Sequence, residues 1–92
     1  MANRINYNNV MSQANDIKIL SNDLGKEIAN LENLLSQIKS EWCGPASEEF
    51  QKQLLMLIAD MKTTKYNMTN VSSTIENTAM KIQEEDAISS NN

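Results

Sequence analysis

The chain has no histidine, one cysteine, one proline and two glycines among 92 residues. Without histidine it lacks the side chain that most often moves protons near neutral pH. A single thiol, Cys43, excludes an internal disulfide and a cysteine-rich metal site. So little glycine and proline leaves almost no punctuation for a fold of many turns. Aromatics are only 4%. The longest apolar run, Leu54-Leu55-Met56-Leu57-Ile58-Ala59, falls far short of the roughly 20 residues that span a bilayer. No apolar stretch follows Met1-Ala2-Asn3-Arg4, so no standard signal peptide is expected, and export would need a route without a cleaved leader. The eight basic residues are scattered and form no stripe along a phosphate backbone, so nucleic acid is not an expected partner. A net charge of -4 fits ordinary solubility. There is no glycine-rich phosphate loop, and the adjacent Glu48 and Glu49 diverge around a helix. No catalysis, cofactor or metal is expected.

What is present is helix. Ala, Leu, Ile, Met, Glu, Lys and Gln dominate, all of them helix-compatible. After a polar start ending near Asn6-Tyr7-Asn8-Asn9, where asparagine suits an N-cap, apolar residues recur at alternating gaps of four and three. They are Val10, Ala14, Ile17, Leu24, Ile28, Leu31, Leu35, Ile38 and Trp42, with Ser21 the one break. A sustained heptad seam of this kind is the strongest helix signal a sequence carries. Gly25 lies inside it at a cost of roughly 1 kcal/mol relative to alanine. A second seam is expected along Phe50, Leu54, Leu57, Met61, Thr64, Met68, Val71, Ile75, Thr78 and Ile82, with Ala79 able to cover for Thr78. Leu20, Leu34, Leu55 and Ile58 then form an additional apolar flank.

Between the seams stands Trp42-Cys43-Gly44-Pro45. Gly44 is expected to end the first helix in the left-handed conformation. Pro45 suits the first position of the next helix, and Glu48 and Glu49 complement its dipole. The indole of Trp42 is expected to pack near Ala46 and Phe50, and such a large rigid group also suits recognition. Cys43, in the variable position of the turn, has no histidine or base nearby in sequence and is expected to be dispensable.

The expected fold is all-α in one domain, residues 1–92. A first helix covers about 8–41, a turn 42–45, a second helix about 46–86, and a disordered tail 87–92. The helices would measure roughly 50 and 60 Å at about 1.5 Å per residue. So short a turn makes them antiparallel. A pair this thin leaves its extra flank wet, so dimerisation into a four-helix bundle is expected, with itself or a related chain. Met56, Met61, Met68 and Met80 serve as core filling that also tolerates a non-identical partner.

Trp-x-Gly in a mid-chain turn between two unbroken seams resembles the WXG family, the early-secreted-antigen-like substrates of bacterial type VII (ESX) secretion systems. The resemblance covers essentially the whole chain in architecture, and Phe50, eight residues after Trp42, fits the family's frequent aromatic there. It implies a helical hairpin that dimerises, leaves the cytoplasm folded without a cleaved leader, and acts outside the cell. It also implies recognition by the secretion ATPase, partly through the C-terminal tail, and in some members pairing with a larger toxin that has a helical N-terminal region. The family's export motif is tyrosine, three residues, then an acid. Here the nearest matches are Ile82 with Asp86, which is in register with the seam, and Met80 with Glu84. The missing tyrosine suggests that a partner completes the signal. Two functions compete: a small exported substrate working through protein–protein contact, and an adaptor that helps a toxin out. Membrane disruption is not expected, because the polar faces are mixed or acidic rather than lysine-rich.

Overall fold

A computed structural model describes residues 5–90, with side chains placed through residue 87. The helix α1 spans Tyr7–Glu41 and α2 spans Pro45–Ser90. They lie antiparallel in an extended hairpin of 72 × 18 × 12 Å. The long dimension is that of α2, 46 residues at roughly 1.5 Å each.

Asn6 starts α1: its side-chain oxygen accepts from the Asn9 N–H at 3.2 Å, satisfying one of the orphan donors of the first turn. The heptad reading of α1 holds from Val10 to Ile38, but Ser21 is a buried member of the seam rather than a break in it, and Trp42, its expected last member, lies beyond α1 and is half-exposed. Ala14, Ser21, Ile28 and Leu35, spaced by seven, are buried, and Val10, Ile17, Leu24, Leu31 and Ile38 are half-buried beside them. The main cluster joins Ile28 and Leu35 to Leu54 and Ile58 of α2, with Leu24, Leu31, Ile38 and Met61 packed around it. Each such side chain contributes about 1.5–3 kcal/mol when fully removed from water.

In α2 the seam differs from the sequence expectation in one of its two stripes. Leu54, Met61, Met68, Ile75 and Ile82 face α1 as expected. The alternate positions are Gln51, Ile58, Lys65, Ser72 and Ala79, and Ser47 continues the Leu54 stripe at the turn end. Phe50, Leu57 and Val71 remain 46, 49 and 50% exposed, and Thr64 and Thr78 are exposed with them. Ile58, assigned above to the extra flank, is core. The reason is steric. Ser72, Ala79 and Ser47 are small enough for the backbones to approach, and each serine finds an acceptor. Ser72 Oγ donates to the Ala14 carbonyl at 2.7 Å, and Ser21 Oγ lies 2.9 Å from Thr69 Oγ1 and 3.3 Å from the Lys65 carbonyl. Such bonds remove the penalty of burying a hydroxyl.

Gly25 marks another close approach, since a Cβ there would meet Lys65 Cε at 2.8 Å. The lysine stem crosses the glycine and carries the charge outward. The helix α2 also runs past residue 86. Residues 87–90, expected in a disordered tail, continue it, because nothing from Ala87 to Ser90 breaks the backbone bonding. Asn91 and Asn92 lie outside the described residues.

Candidate functional site

The turn is built from both helices. Trp42 closes α1 in an extended conformation (φ -137°, ψ 120°), and its N–H bonds the Ile38 carbonyl at 2.9 Å. Gly44, expected as the C-terminal stop of α1, instead serves α2. Its φ of +119° is open to glycine but strained for other residues, and its carbonyl accepts from Glu48 N–H at 3.0 Å as the first bond of α2. Pro45 takes the first helical position. Ser47, buried, donates to the Trp42 carbonyl at 2.7 Å and accepts from Gln51 Nε2 at 3.0 Å. This hydroxyl ties the α1 stop to the α2 start, a role the sequence reading missed.

The Trp42 and Phe50 rings lie 6.0 Å apart and tilted at 46°. That geometry suits the quadrupoles of two aromatic rings. The indole stays 46% exposed, so it both clamps the turn and presents an apolar surface beside it. Cys43 is exposed next to it.

The two flanks of the hairpin differ. On one, Lys18 pairs with Glu76 at 3.0 Å and Lys62 with Glu32 at 3.4 Å, bridging α1 to α2 across the seam. Leu55 lies on this flank, in a groove between Glu32, Ser36 and Lys62. The opposite flank carries Leu20 and Leu34 of α1 with Phe50, Leu57 and Val71 of α2, all exposed, and Trp42 at its turn end. The helical register separates the flanks: in an antiparallel pair the two stripes bordering one side of the seam face one another. Of the flank expected from sequence, Leu20 and Leu34 belong to this apolar surface, while Leu55 lies across the seam. Met61 and Met68 are half-buried fillers, and Met56 and Met80 are exposed.

Toward the C-terminal end, Ile82 is half-buried and lines an apolar groove with Ile5, Val10, Ile75 and Ala79. Asp86 follows one turn later and is exposed, as are Met80 and Glu84. Ile82 therefore packs into the seam end, and the acid stands beyond it. No helix among the described residues is long and apolar enough to cross a membrane. Among the same residues, no group of three or more ligating side chains that could hold a metal comes together.

A long helical hairpin closed by a Trp-x-Gly turn, with ion pairs bridging one flank and large apolar side chains along the other, defines a class of small helical proteins that expose a lengthwise apolar face. Residues 3–87 match the WXG100 family, proteins of 100 residues with WXG, and the chain belongs to that family. This family is associated with secreted substrates of type VII systems. Neither the curated proteins nor the solved structures yield a match to the chain.

Proposed function

We propose that this chain is a non-enzymatic type VII secretion substrate that works through protein–protein contact, docking a second helical hairpin on its apolar flank to form a four-helix bundle. The observation that carries the reading is the exposed stripe of Leu20, Leu34, Phe50, Leu57 and Val71. The shape supports it. A folded monomer of 10.4 kDa exposes about 5,400 Å², whereas this chain exposes 6905 Å². Its radius of gyration is 20.7 Å, against about 12 Å for a globular chain of this length. A second hairpin would cover part of that excess and roughly double the core.

On this reading the chain waits in the bacterial cytoplasm, is recognised by the secretion ATPase at the C-terminal end of α2, and leaves without a cleaved leader. The test is the amount of chain in the culture medium of its own host with and without that ATPase. Loss from the medium on removing the ATPase supports the reading, and equal amounts reject it. Ile82 in the place of the motif tyrosine favours a second reading, in which the chain binds the helical N-terminal region of a larger toxin and completes its export signal. In that case deleting the chain also removes the toxin from the medium.

A further inference from the structure

We infer that the occupant of the apolar flank is a helical surface edged with lysine or arginine, and that a second copy of this chain is disfavoured there. The inference rests on the reading above that this flank docks a helical partner, and adds the chemistry of the partner. Its basis is the charge at the edges of the two flanks. On the apolar side, the stripe beside the seam and the next stripe outward recur at seven-residue intervals. They place Asp16, Asp23, Glu27 and Glu41 on α1 with Asp60 and Glu85 on α2, all exposed. Lys81 is the one basic residue at these positions among the described residues, so six acids against one lysine leave this edge at -5. On the other side Lys18, Lys39, Lys52 and Lys62 stand against Glu32, Glu48 and Glu76, a balance of +1. Two of those glutamates are already paired with lysines there. The charge of the molecule is thus concentrated on the edges of its apolar face.

A two-fold dimer sets a patch against itself. The acids are densest on α1, at -4, while Asp60 and Glu85 of α2 stand with Lys81 at -1, so two such faces set a net negative edge against another net negative edge whichever way the axis runs. Charges beside the seam set partner choice in helical bundles, and like signs there suppress association. A partner with leucine or isoleucine along its seam and basic residues flanking it meets the same edge with attraction and is steered toward it.

The full-length chain is tested by native mass at low ionic strength and in roughly 1 M salt, where the Debye length falls to about 3 Å. Beside it stands a variant with D16N, D23N, E27Q and D60N, its helix content checked by circular dichroism. Binding is measured to two synthetic amphipathic helices of equal apolar face, one edged with lysine and one with glutamate. The expected result is a chain that self-associates more weakly at low salt than in high salt, and more weakly than the variant. It binds the lysine-edged helix at least about tenfold tighter than the glutamate-edged one, with the gap closing in salt. A tight dimer at low salt, unchanged by neutralising the edge, overturns the inference and leaves the docking role of the flank standing. No binding of either helix, together with no self-association of the neutralised variant, overturns the docking role as well.

Discussion

Near the turn, from Leu24 to Ile38 on α1 and from Leu54 to Met61 on α2, the seam is filled by leucine, isoleucine and methionine. Away from the turn the buried positions are Ala14, Ser21, Ser72 and Ala79. The first region is held by apolar volume. The second has only half-buried large apolar side chains in its seam (Val10, Ile17, Met68, Ile75 and Ile82), together with close approach and hydroxyls that reach across to Thr69, the Lys65 carbonyl and the Ala14 carbonyl. The difference teaches where the molecule is firm and where it is open. Volume excluded from water outweighs a hydrogen bond whose net worth is only about 1 kcal/mol. The turn-proximal half is therefore the stable unit. The distal half, which carries Ile82 and Asp86, opens at lower free energy.

The largest effect is expected in the firm half. Ile28→Ala should cost about 2–5 kcal/mol in chemical denaturation, because a buried branched side chain is lost from a cluster that a thin hairpin cannot collapse to fill. A loss under about 1 kcal/mol would break the contrast. In the distal half the danger is the opposite, excess volume. Ser72→Leu should cost about 1–3 kcal/mol by forcing the helices apart at Ala14, and should raise hydrogen exchange in residues 10–17 and 68–79 more than near the turn. Uniform exchange would show that the halves are one cooperative unit.

Trp42→Ala is expected to cost about 1–2 kcal/mol, since the half-exposed indole loses one aromatic contact and part of its burial. A cost near that of Ile28→Ala would mean that the turn, not the leucine cluster, anchors the hairpin. The smallest effect has the opposite sign. Gly25→Ala should gain up to about 1 kcal/mol of helix stability. The methyl meets only the far end of Lys65, which can swing away. A destabilised variant would show that the lysine stem holds the distal half closed. Thermal melts of the two variants check both.

The first helix was legible in sequence, because its seam uses the apolar residues that a heptad search finds: Ile17, Leu24, Ile28, Leu31, Leu35 and Ile38 all turn inward. The second was half legible. Phe50 and Val71 outrank Gln51 and Ser72 in hydrophobicity, and Leu57 is close to Ile58, so a heptad search places Phe50, Leu57 and Val71 in the seam. Hydrophobicity measures what should leave water and does not say against which partner. In the distal half of α2 the small Ser72 and Ala79 fill one stripe of the seam, and Phe50, Leu57 and Val71 are left on the flank. The signal that could have separated them is the size of the serines and alanines that continue the heptad of Ile58 and Lys65. The turn was legible as a turn, but the exchange of roles at Gly44 was not. A positive φ suits either a helix stop or a helix start, and the Gly44 carbonyl, accepting from Glu48 N–H, makes it a start. The acidic edge was hidden too, because scattered charges fall into rows only once the register of both helices is fixed.

The central claim is that one flank binds and the other does not. Photo-crosslinking in the host tests it most directly, with a photoreactive amino acid placed at Leu57 or Val71 on the apolar flank and at Lys62 or Asn15 on the ion-paired one. The account predicts a discrete protein adduct from Leu57 and Val71 and none from Lys62 and Asn15. Equal adducts from both flanks, or adducts from the ion-paired flank alone, would contradict it.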